Sequence, residues 1–154
     1  MLDFLNQKLG TSFKEDDLMA LKDFVLLWNV FEDTLFNKSF SVTKASEFIG
    51  SNSLDIELFE KHLSYFRDRY VLNGVFTDKY QLFFRTSDRE DIVKKVLLGE
   101  TSNSDELILG MLLIIFRYRN NLFHGLKEFG KFDKQKENFE IANDFLKTII
   151  DYIL

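Results

Sequence analysis

Apolar residues recur every three or four positions along most of the chain, which is the spacing of amphipathic α-helices. A short first segment, residues 1–9, ends at Gly10. Ser12 and Glu15 have the spacing of a capping box, so we expect a long helix with Ser12 as its N-cap. Its inward positions are large and apolar: Leu18, Leu21, Phe24, Val25, Trp28, Phe31, Leu35 and Phe36.

The middle of the chain predicts a short helix over residues 43–49, which stops at Gly50, and a longer helix over residues 54–70. Asn73 and Gly74 are interpreted as the C-cap of that longer helix. The alternative is a β-hairpin, but its strands would be very short.

The last third of the chain predicts helices over residues 87–98, 104–123 and 133–153. Ser87 opens the first with a capping-box spacing, and Asn103 or Ser104 caps the second. The pattern as a whole predicts an all-α fold in a single domain, residues 1–154. We expect an up-and-down bundle of four principal helices plus short ones, because the connections are short.

The amino-acid composition excludes some kinds of site and some classes of function. The 154 residues are 45% hydrophobic, include 18 Phe and contain neither proline nor cysteine. Disulfides and thiolate metal sites are therefore excluded, and the phenylalanines predict an aromatic core or subunit interface. The net charge of −5 argues against non-specific binding to long nucleic acids. No basic leader follows Met1, and the longest apolar run is too short to span a bilayer, so we expect a cytoplasmic protein with no membrane contact.

The most informative stretch is the end of the helix predicted over residues 104–123. Residues 107–116 are apolar except for Gly110, and the sequence then turns polar as Arg117-Tyr118-Arg119-Asn120-Asn121-Leu122-Phe123-His124-Gly125. Guanidinium groups bind phosphate oxygens, and imidazole transfers protons near neutral pH. Cations at a helix C-terminus also suit the helix dipole, but that explanation leaves the two asparagines unexplained. The stretch therefore predicts a phosphodiester-cleaving site.

The spacing of this stretch constrains the geometry of such a site. On an ideal helix Asn120 and His124 share a face, whereas Arg119 lies about 140° from His124. For Arg119 and His124 to converge on one phosphate, either the helix distorts near Asn120 and Asn121 or a second subunit supplies one group.

Arg119-Asn120-Asn121-Leu122-Phe123-His124 resembles the Arg-x4-6-His motif of the HEPN superfamily, which are all-α nucleotide-binding domains of higher eukaryotes and prokaryotes. In that family a polar residue, often asparagine, follows the arginine, and Asn120 matches. The surrounding sequence is similar to stand-alone bacterial members of the ribonuclease and toxin type.

The resemblance implies a metal-independent endoribonuclease of the toxin or antiphage, abortive-infection type, which acts as a homodimer with both motifs in one cleft. His124 would be the general acid and base, Arg119 would stabilise the transition state, and Asn120 would orient the phosphate or the histidine. RNA is cleaved by attack of its own 2′-OH, so no cofactor or metal is expected. A non-catalytic module that binds RNA, a nucleotide or a protein is the alternative.

The local charge favours an RNA partner. Residues 117–136 include six basic residues and only two acidic ones. A solvated lysine-rich loop explains the same pattern. The residues expected to contact RNA phosphates are Arg117, Asn121, Lys127 and Lys131, and a structural salt bridge is the alternative for Arg117. An antitoxin or a defence-system protein is a further expected partner. An antitoxin that adds AMP is less supported, because Leu126 replaces the modified tyrosine of such toxins.

Other titratable residues have simpler explanations. His62 borders an apolar stripe, which is typical of a packed, hydrogen-bonded histidine. Asp16 and Asp17 fall in the first turn of a helix, where carboxylates suit the dipole. A third hypothesis, a helical interaction protein whose aromatic surface builds an oligomer, needs no chemistry at Arg119 and His124.

Overall fold

The computed structural model describes residues 1–124 and 135–154. Within this part of the chain, Phe123 and His124 are described by their backbone alone. These residues form an all-α helical bundle, as the sequence predicts. The helices are α1 (Leu2–Leu9), α2 (Glu15–Phe36), α3 (Val42–Asn52), α4 (Glu60–Tyr70), α5 (Glu90–Leu97), α6 (Ser104–His124) and α7 (Lys136–Ile153). A 3-10 turn, Ile56–Phe59, precedes α4. Two short strands, β1 (Val71–Leu72) and β2 (Val75–Phe76), follow α4.

The bundle is organised around α6. Its apolar residues are buried as far as Ile115, and it packs on α3, α4 and α5, while α2 lies along α7. The close approach of α5 and α6 depends on Gly110, because a Cβ there would lie 2.7 Å from Cγ2 of Val96. Phenylalanines fill much of the core, as the sequence predicts; those with no exposed surface are Phe24, Phe31, Phe59, Phe66 and Phe145.

The predicted N-cap of α2 at Ser12 is wrong. The helix begins at Glu15, and the backbone N–H of Lys14 donates to Asp17 Oδ2 over 2.8 Å. The start is displaced because Phe13 is buried and its N–H donates to Asn6 Oδ1, which holds this segment extended. Asp17 thus has the structural role that its position indicates.

The interpretation of Asn73 and Gly74 as a helix C-cap is also wrong. β1 and β2 pair antiparallel as a hairpin, with Val71 opposite Phe76. Asn73 and Gly74 have φ of 52° and 76°, the left-handed conformation that a tight two-residue hairpin turn requires.

The capping box at Ser87 is not formed. α5 begins at Glu90, after Arg89 with φ of 54°. The carboxylate of the intervening Asp88 is drawn away, because its Oδ2 accepts from the backbone N–H of Arg85 at 3.0 Å and lies 3.5 Å from Arg117 Nη1. Asp88 is therefore bonded both to the segment before α5 and to α6.

The other elements need smaller corrections. The short third helix runs through Gly50 and ends at Ser53, where φ is 49°. The segment predicted as one helix over 54–70 is divided into the 3-10 turn and α4. Of the two residues predicted to cap α6, Asn103 or Ser104, the structure has Asn103, whose Oδ1 accepts from the N–H of Glu106 at 3.0 Å. The predicted start of the last helix, at residue 133, lies outside the described residues.

Candidate functional site

The polar end of α6 continues as regular helix, so its side chains point in different directions. α6 is helical through His124, with no break at Asn120 or Asn121. Arg119 and His124 therefore occupy positions about 140° apart around the helix axis. Of the two ways in which these residues could meet, a distorted helix end is not found in the described backbone.

Arg117 and Asn121 face the segment that precedes α5. Arg117 Nε donates to the carbonyl of Leu82 at 2.7 Å, and Asn121 Nδ2 donates to the same carbonyl at 3.4 Å. The side chain of Arg117 is 11% exposed, and its Nη1 lies 3.5 Å from the buried carboxylate of Asp88. Burial lowers the pKa of Arg117, although Asp88 opposes that effect. These contacts match the salt-bridge alternative for Arg117.

Arg119 lies on the opposite side of α6, against α2. It lines a small cavity of about 20 Å³, enough for one water molecule, together with Phe24, Val25, Trp28, Asn29 and Leu122. The Arg119 side chain is half-buried, and its Nη1 donates to Asn120 Oδ1 at 3.2 Å. The guanidinium is thus held at the edge of the core between α2 and α6.

Asn120 is the most unusual residue of the stretch, because it is a polar side chain with 1% exposure in a helix whose preceding turns are buried and apolar. Its Oδ1 accepts the bond from Arg119. Its Nδ2 is buried and has no hydrogen-bond partner within residues 1–124 and 135–154. Buried amide groups are nearly always satisfied, so an unused donor beside a guanidinium needs a functional or structural explanation.

Tyr118 lies between the two arginines and was not recognised in the sequence as part of the site. It is buried, and its hydroxyl is hydrogen-bonded to that of Tyr70 on α4. Burial raises the pKa of Tyr118 well above its usual value, so the hydroxyl stays neutral. The sequence gives no signal for this pairing, because the partner of Tyr118 is 48 residues away.

The remaining predicted site residues cannot be placed. Lys127 and Lys131 lie outside the described residues, and His124 is described by its backbone alone. Their roles as RNA contacts and as the catalytic histidine stay predictions. Within the described part of the chain, no three His, Cys, Asp or Glu side chains are grouped as a metal ion would require.

The other histidine, His62, is packed as its position indicates. It has no exposed surface, and its Nε2 lies 2.7 Å from Asp144 Oδ2, which also accepts from Lys61 Nζ at 2.7 Å. Burial lowers the pKa of His62, although the Asp144 carboxylate opposes that effect. His62 therefore links α4 to α7 and has no access to a substrate.

Comparison of the chain with protein-family models, curated proteins and solved structures finds no match. Among the helices of residues 1–124 and 135–154, none has the length and apolar character that crossing a membrane requires. The resemblance to HEPN proteins therefore depends on the motif and on the all-α bundle.

Proposed function

We propose that this protein is a metal-independent endoribonuclease of the HEPN type, a toxin or antiphage effector that cleaves RNA in a cleft between two subunits. The observation that carries the proposal is the buried Asn120 amide bonded to the Arg119 guanidinium at the polar end of α6. Asparagine is a poor residue for a helix interior, and fixing an arginine for phosphate binding gives the buried amide a use.

The chemistry follows from the side chains. The 2′-OH of a ribose attacks the adjacent phosphorus, and its proton passes to a general base, His124. The bond from phosphorus to the 5′-oxygen of the next nucleotide breaks, and this oxygen takes the proton from the His124 imidazolium that the first transfer has formed. The products are a 2′,3′-cyclic phosphate and a 5′-hydroxyl end.

Arg119 stabilises the five-coordinate phosphorus, where negative charge accumulates on the non-bridging oxygens. Asn120 keeps the guanidinium in place through the hydrogen bond to Nη1. Preorganised donors of this kind need no rearrangement during the reaction, which is why they are effective.

The straight course of α6 supports the dimer. A single subunit holds the positions of Arg119 and His124 on different faces of the helix. Two copies related by a two-fold axis can place Arg119 of one opposite His124 of the other. An antitoxin or a defence-system protein would then control the dimer or its cleft.

A second function, a non-catalytic HEPN module that binds RNA, a nucleotide or a protein, is favoured by the position of the Arg119 guanidinium against α2. The Arg119 guanidinium is already engaged with Asn120 and packs beside Trp28 rather than extending into solvent. Such an arginine contributes to stability and binding without taking part in bond cleavage.

Cleavage of RNA in the presence of EDTA separates the two functions. The endoribonuclease converts an RNA oligonucleotide into fragments with 2′,3′-cyclic phosphate ends, and leaves the matching 2′-O-methyl oligonucleotide intact. His124→Ala and Arg119→Ala each abolish cleavage while the circular dichroism of the protein is retained. RNA binding without cleavage by the wild type would favour the binding module, and cleavage by the His124→Ala protein would refute the proposed mechanism.

A further inference from the structure

Phe83, in the segment between β2 and α5, has a backbone conformation that aromatic residues rarely adopt. Its φ is 52°, in the left-handed region, where the Cβ of a bulky side chain is crowded by the backbone. Its ring is 70% exposed, more than that of any other phenylalanine among residues 1–122 and 135–154. Both features act against stability, because glycine would fit this backbone better and the ring buries little apolar surface.

The backbone on both sides of this exposed ring is tied to the polar end of α6. The side chain of Leu82 is buried, and its carbonyl accepts from Arg117 Nε at 2.7 Å and from Asn121 Nδ2 at 3.4 Å. On the other side, the N–H of Arg85 donates at 3.0 Å to Asp88 Oδ2, which lies 3.5 Å from Arg117 Nη1. These bonds hold the strained residue in place and keep its ring in solvent.

The two α6 residues that bond to Leu82 share a face of the helix with position 124. The backbone of α6 is helical through His124. Position 124 therefore lies about 20° from Arg117 around the helix axis, two turns further along, and about 60° from Asn121, one turn further along. The segment that carries Phe83 thus lies beside the end of α6 that bears the proposed catalytic histidine.

A cluster of charged residues next to Phe83 has a net charge of +1. One carboxylate oxygen, Asp88 Oδ2, lies 3.4 Å from Arg85 Nε and 3.5 Å from Arg117 Nη1, so two cations share one anion. Of the two arginines, Arg85 faces solvent, with 56% of its side chain exposed. Arg85 is two residues from Phe83, so their Cα atoms are at most about 7 Å apart. An exposed aromatic ring beside an exposed guanidinium matches the base and the phosphate of a nucleotide.

We propose that Phe83 and Arg85 form a nucleotide subsite, in which an RNA base stacks on the Phe83 ring and an adjoining phosphate binds the Arg85 guanidinium. The choice of RNA as the ligand rests on the proposed function. Stacking on an aromatic ring tolerates every base, so the subsite holds the strand in place rather than reading its sequence. Because it lies beside the end of α6, the bound base keeps the strand next to the proposed cleavage site.

Binding of RNA to the full-length protein tests the proposal. The probe is a short 2′-O-methyl RNA, which lacks the attacking hydroxyl, with 2-aminopurine placed at each position in turn. The fluorescence of 2-aminopurine falls when it stacks on an aromatic ring, so one titration reports both affinity and stacking. Phe83→Gly removes the ring and suits the left-handed backbone, Phe83→Tyr keeps the ring, and Arg85→Gln removes the charge.

The chain offers a matched control for each change. Phe4→Ala removes an exposed phenylalanine of α1, and Arg89→Gln removes an exposed arginine that pairs with Asp91. Thermal unfolding of each variant separates binding from stability. A ring with only a structural role would lower the unfolding temperature when it is removed and leave the quenching of bound 2-aminopurine unchanged.

We expect Phe83→Gly to weaken RNA binding by about tenfold and to abolish the quenching, without lowering the unfolding temperature. Phe83→Tyr should retain both binding and quenching. Arg85→Gln should weaken binding by a smaller factor and reduce its dependence on salt. Both controls should bind as the wild type does.

A folded Phe83→Gly protein that binds RNA and quenches 2-aminopurine as the wild type does overturns the proposal. If Phe83→Gly does not fold, unchanged quenching by a folded Phe83→Leu protein overturns it instead. Loss of self-association in Phe83→Gly, with RNA binding unchanged, assigns the ring to a protein interface and also overturns it. Absence of RNA binding by the wild type refutes the subsite. Binding with quenching by a wild type that cleaves no RNA supports the subsite and refutes only the endoribonuclease.

Discussion

Arg119 donates a hydrogen bond from Nη1 to Oδ1 of Asn120, the next residue along α6, over 3.2 Å. Neighbours on a helix point about 100° apart, so this bond draws the long arginine side chain back toward a buried position. Asn120 has 1% exposure, so it is a fixed support rather than a surface group. In the proposed nuclease, Asn120 keeps the cation where the phosphate must pass.

Removal of the Asn120 amide should have a larger effect on the rate of RNA cleavage than on the free energy of unfolding. We expect Asn120→Ala to lower the cleavage rate by about tenfold to a hundredfold, because Arg119 becomes free to move. Single-turnover cleavage of RNA in EDTA measures the effect. Asn143→Ala is the control, since Asn143 is a buried amide of α7 that donates to the Ala20 carbonyl at 3.1 Å, far along the chain from the motif. Equal loss of cleavage in both variants would show that Asn120 acts only through stability.

Arg117 should behave as a structural residue. Arg117→Ala leaves the 4%-exposed Asp88 and the Leu82 carbonyl without this donor, so we expect the free energy of unfolding to fall by about 1–3 kcal/mol. Arg89→Ala, which breaks an exposed pair with Asp91, should change it by under about 1 kcal/mol. Urea unfolding measures both variants. A stable Arg117→Ala protein with weakened RNA binding would favour phosphate contact instead.

Two helical glycines provide a matched test of the packing around α6. Gly110→Ala places a Cβ 2.7 Å from Val96 Cγ2, so we expect a loss of about 1–3 kcal/mol despite the better helix propensity of alanine. Gly50→Ala, in α3, meets no atom within 4 Å and should gain about 0.5–1 kcal/mol. Thermal unfolding compares the two. A stabilised Gly110→Ala protein would show that α5 and α6 can move apart with little loss in the free energy of unfolding.

His62 should make stability depend on pH. Burial lowers its pKa below the usual 6.5, so the unfolded chain binds the proton more readily than the folded protein. The contribution of neutral His62 is therefore present above about pH 6.5 and is lost as the pH falls toward the lowered pKa. We expect wild type to lose more stability than His62→Gln between pH 7.5 and pH 5. Parallel curves for the two proteins would contradict the assigned pKa direction.

The long helices were predictable from the sequence because periodicity and burial agree along their whole length. The starts of α2 and α5 were not, since Phe13 is buried and bonded to Asn6, and Asp88 is bonded to Arg85 and Arg117, contacts that the local capping signals do not reveal. The hairpin at Asn73 was the alternative set aside because its strands are short, yet two residue pairs, Val71 with Phe76 and Leu72 with Val75, form it.

The motif of the candidate site was visible in the sequence, but the direction of each side chain was not. Which arginine faces α2 and which faces the segment before α5 follows from the rotation of α6 in the bundle. Tyr118 and Tyr70 belong to different helices, so the hydrogen bond between them has no counterpart in any local pattern.

The most direct measurement is RNA cleavage in EDTA by a mixture of the Arg119→Ala and His124→Ala proteins. Each variant alone is inactive in the proposed mechanism. In a mixed dimer, Arg119 of one subunit and His124 of the other remain together, so the mixture should recover roughly a quarter of the wild-type rate after subunit exchange. Absence of cleavage by the mixture, with wild type active and mixed dimers formed, would contradict a site shared between subunits. An inactive wild type would contradict the endoribonuclease itself.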